Sequence, residues 1–224
     1  MSNRVVIIAP HPDDETLGAG GTILRHKNLG DRVFWLIITT ITAEQGYKII
    51  DIENRNRLVH EVARHYKFDG VFDLKFPTTL LDTIPFYKLV KAIGNVFGEV
   101  SPNIVYAPFH NDVHTDHKIV FNAIMACIKW FRYPSIKKVM MMEILSETDF
   151  GYQNSCNSFG PNVFVDISEY LEKKIEIMKL YSSEIGEHPF PRGKKGIKSL
   201  AYLRGSMAGV KAAESFMLVK EIIS

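Results

Sequence analysis

The chain has 224 residues, of which 46% are hydrophobic and 23% are charged, and its formal net charge is +2. These values are ordinary for a globular protein and exclude a disordered chain. The length predicts a single domain over residues 1–224, and so small a net charge argues against binding to nucleic acid or to an anionic membrane.

The first half of the chain alternates between short β-rich segments and longer helical ones. Arg4–Ala9 is a continuous apolar run, which is typical of a strand buried on both faces. The β-branched and aromatic residues of Val33–Ile41 predict a second strand. Two further strands are predicted over Val71–Leu74 and Asn103–Ala107. The segments between the strands predict helices over Thr16–Asn28, Ile52–Tyr66 and Phe86–Val100.

The second half continues this alternation. Its predicted elements are a helix over Asp116–Phe131, strands over Lys138–Leu145 and Val163–Ile167, a helix from Ser168 to about Tyr181, a Gly-, Pro- and Lys-rich loop over Glu184–Gly196, and a last helix over about Ser199–Ile222. Strands that alternate with helices predict an α/β fold with a mostly parallel sheet and helices on both of its faces.

No segment of the sequence is long and apolar enough to cross a membrane. The longest uninterrupted apolar runs are of the size of Val33–Ile38, whereas a membrane-spanning helix needs about 20 residues. The apolar run Val5–Ala9 is too short for the core of a secretory signal. The two cysteines, Cys127 and Cys156, do not suffice for a disulfide framework. We therefore expect a cytoplasmic protein.

Two polar clusters follow predicted strands. The sequence HPDDE occupies residues 11–15, directly after the first strand, and DVHTDH occupies residues 112–117, after the strand that ends at Ala107. In parallel sheets, ligands bind at the carboxyl ends of the strands. Imidazole and carboxylate groups suit Zn²⁺, and two ligands from the first cluster with one from the second would leave a coordination position open for catalysis. Of the adjacent Asp13 and Asp14, one could bind metal while the other accepts a proton from water.

Each cluster also has a purely structural interpretation. The aspartates of the first cluster could cap the following helix, and Thr115 or Asp116 could begin another helix. The occurrence of both clusters at strand ends favours the metal site. Gly18, Gly20 and Gly21 suggest a dinucleotide-binding loop, but the third glycine of that motif would fall at Ile23. We therefore assign these glycines to close packing of the first helix.

The sequence APHPDDE at residues 9–15, followed about a hundred residues later by Asp112-x-His114-x-Asp116-His117, resembles the PIG-L/LmbE-like zinc-dependent N-deacetylases. This resemblance implies one Rossmann-like domain that removes the acetyl group from N-acetylated amino sugars and related conjugates. Weaker similarities are Arg57, the sequence YSSE at residues 181–184, and two segments that begin at Arg204 and Ala213. The family more often has Ser-Gln where this chain has Ser183-Glu184, so the resemblance gives no role to Glu184.

The resemblance also implies a metal site, residue by residue. His11, Asp14 and His117 would bind Zn²⁺, although another divalent metal such as Fe²⁺ would also suit them. Asp13 would be the general base and later the acid that protonates the leaving amine.

The remaining assignments concern the substrate. His114 would stabilise the oxyanion, and Asp116 would orient an imidazole without itself binding the metal. Arg57 and Arg204 are candidate substrate contacts. Selectivity would come from the loops Asp149–Pro161 and Glu184–Gly196.

The sequence therefore predicts a zinc hydrolase of an N-acetylated amino sugar, which could be free, nucleotide-linked or part of a glycoconjugate. Two alternatives remain open: a hydrolase of another amide conjugate, and a catalytically silent metal-containing sugar-binding protein. Asp13 separates them, because a binding module needs no free carboxylate beside its metal. The predicted partner is a small molecule, and self-association into a homo-oligomer is left open.

A final hypothesis concerns the cations of the Glu184–Gly196 loop. Arg192, Lys194 and Lys195 lie among glycines and could bind the phosphate of a nucleotide-linked sugar. The alternative is a basic loop that faces only solvent.

Overall fold

The fold is built on one sheet with helices packed on it. The structure is a computed structural model that describes residues 2–152, 154 and 157–223. In these residues the strands are β1 (Arg4–Ala9), β2 (Arg32–Thr40), β3 (Gly70–Pro77), β4 (Ile104–Ala107), β5 (Lys138–Met142), β6 (Val163–Asp166) and β7 (Ala213–Glu221). The helices are α1 (Asp14–Asn28), α2 (Ile49–Tyr66), α3 (Phe86–Val100), α4 (Thr115–Cys127), α5 (Leu171–Met178) and α6 (Lys194–Ala208).

The strand order is β3-β2-β1-β4-β5-β7-β6. The first five strands are parallel, and β1 lies in the middle of them between β2 and β4. β7 is antiparallel to both of its neighbours, β5 and β6. The predicted α/β fold with a mostly parallel sheet is confirmed. The antiparallel pairing of β7 is confined to one edge of the sheet.

The two faces of the sheet carry separate hydrophobic cores. Successive residues of a strand point to opposite faces, so Ile7 of β1 belongs to the core that includes residues of α1, α2, α5 and α6, and Ile8 belongs to the core that includes residues of α3 and α4. Trp35 and Leu36 of β2 divide between the two cores in the same way. All four side chains are fully buried. This is why the central strands consist almost entirely of apolar residues.

The last predicted helix, over Ser199–Ile222, is wrong in its second half. Helix α6 begins at Lys194 and ends at Ala208, because Gly209 adopts a left-handed conformation with φ of 71°. The chain then forms β7, whose residues Ala213–Phe216 are buried. β7 pairs with β5 on one side and with β6 on the other, and this pairing outweighs the local helical preference. The periodicity of the sequence gives no information about such pairing.

Helix α1 is broken in its middle, and its glycines lie where neighbouring side chains come close. Ala19 departs from helical geometry, with φ of −144°. A Cβ atom on Gly21 would lie 2.6 Å from the Ile167 side chain, and one on Gly20 would lie 2.6 Å from the Tyr66 hydroxyl. These contacts support the assignment of the glycines to close packing.

Near the break, backbone N–H and C=O groups of α1 form hydrogen bonds with two charged side chains. The Glu214 carboxylate on β7 accepts hydrogen bonds from the backbone N–H groups of Gly21 and Thr22. The Lys174 ammonium on α5 donates to the carbonyl of Leu17 and to Glu214. The two halves of α1 are thus held by residues from the second half of the chain.

Among the described residues, no helix is long and apolar enough to cross a membrane. Cys127 is a buried free thiol, and Cys156 lies outside the described residues.

Candidate metal centre and active site

Three ligand atoms from the two polar clusters converge on one point. His11 Nδ1 lies 3.4 Å from Asp14 Oδ2, and His117 Nε2 lies 3.3 Å from the same oxygen. The two imidazole nitrogens are 3.4 Å apart. His117 and Asp14 are buried, and His11 is partly exposed. These are the three residues to which the resemblance to the N-deacetylases assigns the metal.

The local fold explains why these residues meet. His11 follows β1 directly, and Asp14 lies in the first turn of α1, where its carboxylate accepts a hydrogen bond from the backbone N–H of His11. His117 lies in the first turn of α4, which follows β4. Because β1 and β4 are parallel neighbours, their carboxyl ends bring both clusters to the same edge of the sheet.

The second nitrogen of each imidazole contacts a buried carboxylate. His117 Nδ1 lies 2.8 Å from Asp112, and His11 Nε2 lies 3.1 Å from Asp116. Asp116 also accepts a hydrogen bond from the backbone N–H of Thr79. A carboxylate behind each histidine fixes the ring and its tautomer, which is the usual arrangement around a metal-binding histidine.

The donor set fits a divalent cation such as Zn²⁺. With bonds of about 2.0–2.1 Å, neighbouring ligand atoms in a tetrahedral site are about 3.4 Å apart, which matches the three separations found here. The electrostatics favour positive charge at the same point. Burial would lower the pKa of His11, but hydrogen bonds to Asp116 and Asp14 raise it to about 9. Burial also opposes ionisation of Asp14, yet His117 and His11 hold the pKa of that carboxyl well below its usual range.

Asp13 lies beside the three ligand atoms in an unusual backbone conformation. Its φ is 130°, a value that side-chain-bearing residues rarely adopt and that occurs mainly at functional sites. The conformation is held by Glu15, which accepts a hydrogen bond from the backbone N–H of Asp13. Burial and the charge of Asp14 raise the pKa of Asp13, while Arg192 acts in the opposite direction.

Glu15 is a buried support for this loop. Its carboxylate accepts hydrogen bonds from the Tyr181 hydroxyl at 2.7 Å and from the Thr16 hydroxyl. Burial raises the pKa of Glu15 to about 7, although both hydrogen bonds lower it. The first residue of the YSSE sequence at residues 181–184, Tyr181, thus has a structural role: its hydroxyl holds Glu15, and Glu15 holds the backbone of Asp13.

His114 lies at the start of α4 and contacts the other two histidine rings. Its Nδ1 accepts a hydrogen bond from the backbone N–H of Asp116, so in the neutral ring the proton is on Nε2. Burial and the charges of His11 and His117 lower the pKa of His114 to about 4. His114 is therefore a neutral imidazole whose Nε2–H is left to donate.

Arg192 enters the site from the loop between α5 and α6. Its guanidinium contacts Asp13 at 2.9 Å, Glu147 at 2.8 Å and Glu184 at 3.2 Å, and it donates to the Ser146 hydroxyl. The alternative of a loop that faces only solvent is therefore wrong for Arg192, whose guanidinium is paired with three carboxylates.

The two lysines beside Arg192 lie elsewhere. Lys194 and Lys195 line a separate groove with Phe190 and Tyr202, and none of the three convergent metal-ligand candidates lines that groove. The hypothesis that all three cations bind one phosphate does not fit this arrangement.

The other two predicted substrate contacts lie on helices, Arg204 on α6 and Arg57 on α2. Arg204 forms a two-pronged ion pair with Glu143, which also accepts a hydrogen bond from Ser215. Arg57 is exposed and donates to Asn54, at a cleft that extends from Pro12 to the segment 180–184. Both residues remain predictions as substrate contacts.

Sequence reasoning missed several residues of the site. Asp112 belongs to the second motif, but the sequence predicts no role for it, and the structure shows that it contacts His117. Arg55 lines the same cleft as Arg57, and its buried Nε has no hydrogen-bond partner among the described residues. Glu147 belongs to a loop and carries no motif that could identify it, and the contact of Arg192 with Asp13 was not predicted.

Comparison with known proteins identifies the family of the chain. The PIG-L family, described as GlcNAc-PI de-N-acetylase, matches residues 6–128, which include both clusters. Diacetylchitobiose deacetylase of Thermococcus kodakarensis is 26% identical, over 98% of this chain and 84% of that protein. A probable N-acetyl-alpha-D-glucosaminyl L-malate deacetylase of Bacillus anthracis is 23% identical, over 81% of each chain.

A solved structure shares the fold. N,N'-diacetylchitobiose deacetylase from Pyrococcus horikoshii superimposes with a TM-score of 0.78, covering 98% of this chain and 84% of that one at 19% identity. The overall arrangement of strands and helices is thus a known fold.

Proposed function

The chain belongs to the PIG-L family of de-N-acetylases, and from this premise we propose that it hydrolyses the N-acetyl amide of an amino sugar. The observation that carries the proposal is the position of Asp13, a buried carboxylate beside three convergent ligand atoms. The similarity to deacetylases of N-acetylated sugars supports the same reaction. A protein that only bound sugar would have no use for Asp13 in its strained conformation.

His11, Asp14 and His117 would hold the metal, and Zn²⁺ is the ion that their two nitrogens and one oxygen suit best. When bound, the ion would supply Lewis-acid chemistry, polarising the acetyl carbonyl and making water easier to deprotonate. Asp112 and Asp116 would keep the two imidazoles oriented towards it.

Asp13 would move the proton. As general base, its carboxylate accepts a proton from the attacking water while the water oxygen bonds to the acetyl carbon. The protonated Asp13 then delivers this proton to the amide nitrogen as the C–N bond breaks. The products are acetic acid, which ionises to acetate in solution, and the free amine of the sugar, so one water molecule is consumed and Asp13 returns to its initial state.

His114 would stabilise the negative charge that develops on the carbonyl oxygen. Its Nδ1 is engaged by the backbone N–H of Asp116, which leaves Nε2–H as a donor. A donor held in this way before the reaction needs no rearrangement at the transition state.

Acetate release from a panel of N-acetylated amino sugars, including free sugars, nucleotide sugars and glycoconjugates, tests the proposal. We expect release with at least one member, loss of release after treatment with a chelator, and recovery with Zn²⁺. Asp13→Asn should fold and bind one equivalent of metal while losing turnover. Wild-type protein that binds zinc but cleaves no amide of the panel would instead indicate a silent sugar-binding protein.

A further inference from the structure

Helix α3 presents aromatic side chains to solvent. Its buried residues Leu89, Ile93 and Phe97 belong to the core on that face of the sheet. Phe86 and Tyr87, at the start of the helix, are not part of this core and are 47% and 66% exposed. A surface helix normally has polar residues on its outer side, so exposed rings at this position indicate a binding surface.

The turn that follows α4 packs against α3. In this turn, residues 129–133, the N–H groups of Arg132 and Tyr133 both donate to the first carbonyl. The Tyr133 ring contacts the Phe97 ring of α3, with centroids 5.7 Å apart. A Cβ atom on Gly94 of α3 would collide with the Tyr133 hydroxyl, so the absence of a side chain there allows the close approach. The turn therefore has a fixed position beside the helix.

Side chains from the helix and from the turn line one groove. Phe86, Tyr87 and Lys91 line it from α3, and Arg132 lines it from the turn. Aromatic rings and two cationic side chains thus share one surface.

Two further aromatic residues lie in the turn that contributes Arg132. Trp130 and Phe131 are 68% and 62% exposed, and their rings contact each other edge to face with centroids 5.9 Å apart. The surface defined by the four groove residues and these two is called the basic aromatic face: Phe86, Tyr87, Lys91, Trp130, Phe131 and Arg132.

Positive charge is concentrated in the segments that form this face. Residues 84–98 and 117–142 contain two and five lysines and arginines, respectively, and no aspartate or glutamate. Lys138 is paired with Glu221 at 3.2 Å, whereas neither Lys91 nor Arg132 forms an ion pair within the described residues. The net charge of +2 for the whole chain therefore does not describe this face, which has a local positive field.

We propose that the basic aromatic face binds the surface of an anionic lipid bilayer. This inference goes beyond the proposed deacetylase function. Lys91 and Arg132 would lie at the level of the lipid phosphates, and the rings of Tyr87 and Trp130 would enter the boundary between headgroups and acyl chains. The strength of such binding is the sum of buried apolar area and attraction to anionic lipid, and the face offers both.

Two other occupants fit the face less well. A second copy of the chain, bound through the same surface around a two-fold axis, would bring cations against cations. Single-stranded nucleic acid stacks its bases on open aromatic faces. The Trp130 and Phe131 rings are instead almost perpendicular, at 89°, which gives a compact apolar projection and not a stacking platform.

The test is co-sedimentation of the full chain with phosphatidylcholine vesicles that contain either no phosphatidylglycerol or about one-third of it. We expect binding to the anionic vesicles at about 0.1 M salt and its loss at about 1 M salt. Lys91→Ala/Arg132→Ala should weaken binding about 25-fold, because each cation near an anionic surface is worth about 5-fold. The matched control, Lys194→Ala/Lys195→Ala, removes the same charge from a separate groove and should bind like wild type.

Trp130 provides a second readout. The chain has two tryptophans, and the other, Trp35, is fully buried. A blue shift of tryptophan emission on addition of anionic vesicles would therefore report entry of Trp130 into apolar surroundings. Trp130→Phe should abolish the shift while retaining sedimentation. Sedimentation of the wild-type protein without a shift would mean that another surface binds the vesicles.

The remaining outcomes also decide the proposal. Equal losses in the two double variants would show that overall charge drives binding, and no sedimentation with anionic vesicles would refute the face as a lipid-binding surface. If oligo-dT binds, or the chain self-associates, in a way that requires Lys91 and Arg132 while vesicles do not bind, the face belongs to nucleic acid or to a second copy. None of these measurements depends on acetate release, so failure of the lipid proposal and failure of the deacetylase function are distinguishable.

Discussion

The guanidinium of Arg192 lies 2.9 Å from the carboxylate of Asp13, although 179 residues separate them in the chain. Asp13 is buried next to Asp14, so two negative charges stand close together in a region with little water. The cation of Arg192 opposes the resulting rise in the pKa of Asp13. Arg192 therefore helps to keep Asp13 in the charged form that a general base requires.

We expect Arg192→Ala to lower kcat about 10- to 100-fold, which is less than the 10²–10⁴-fold that a positioned base contributes in full. The reason is that Asp13 would remain in the site but would lose the positive charge beside it and the hydrogen bond that orients its carboxylate. Metal content should stay at the wild-type level, because Arg192 contacts none of the three metal-ligand candidates through a hydrogen bond or ion pair within the described residues. Steady-state kinetics and metal analysis of the same preparation check both expectations.

Lys195→Ala is the matched control for Arg192→Ala. Lys195 is a nearby cation that lines the separate groove, so its removal should leave kcat unchanged. If both variants lose activity equally, the effect of Arg192 would be one of general charge or loop stability and not of contact with Asp13.

Metal binding should depend on the ligand candidates and not on Asp13. His11→Ala, Asp14→Ala and His117→Ala each remove one of three convergent donors, so each should lose tight binding of Zn²⁺. Asp13→Asn should retain one equivalent, which elemental analysis measures. Retention in Asp14→Ala together with loss in Asp13→Asn would reverse the roles of the two carboxylates.

Asp112 should control metal affinity without being a ligand. Its carboxylate holds His117 Nδ1 at 2.8 Å, and loss of such a partner typically lowers affinity about 10- to 100-fold. Competition with a chelator of known affinity would measure the change in Asp112→Ala. Asp149→Ala is the control, because Asp149 hydrogen-bonds to Ser146 in the adjacent turn and does not contact an imidazole in the described structure. An affinity equal to that of wild type in Asp112→Ala would contradict the assignment.

Two glycine substitutions should change stability in opposite directions. Gly21→Ala places a methyl group 2.6 Å from the fully buried Ile167, and overpacking of this kind costs about 1–3 kcal/mol. Gly98→Ala lies in α3, where a Cβ atom meets nothing within 4 Å, and should add about 0.5–1 kcal/mol by favouring the helix. Urea unfolding measures both changes. A Gly21→Ala protein as stable as wild type would mean that Ile167 can move aside.

Much of the fold follows from local patterns in the sequence. The apolar runs of β1 and β2 identify buried strands because both faces of the sheet are covered. The error at β7 has a different origin, since Ala213–Glu221 forms a strand only through pairing with β5 and β6. Such pairing depends on distant residues, so a local pattern does not reveal it.

The candidate site likewise contains residues that the sequence motifs predict and one whose contact they do not predict. The two motifs follow predicted strands of a parallel sheet, which predicts a shared site at the strand ends, and the resemblance to the N-deacetylases selects His11, Asp14 and His117 within them. The structure adds that β1 and β4 are neighbours and that the three ligand atoms converge. The role of Arg192 is different from both predicted ones, because the sequence predicts either a phosphate contact or a solvent-facing cation and neither is a contact with Asp13. Its contact with Asp13 depends on the path of a loop that the sequence leaves undetermined.

The ion pair of Lys174 and Glu214 ties the first helix to the last strand, and this has a consequence for protein synthesis. The backbone N–H groups of Gly21 and Thr22 have their acceptor on Glu214, and the carbonyl of Leu17 has its donor on Lys174. An unpaired buried backbone group costs roughly 1–3 kcal/mol. While the ribosome is still adding residues before position 214, α1 therefore lacks the partners that hold its two halves. We therefore expect the break in the middle of α1 to gain its full set of buried hydrogen-bond partners only after residue 214 has been synthesised, so that a nascent chain already holding both motifs still has an incompletely supported first helix.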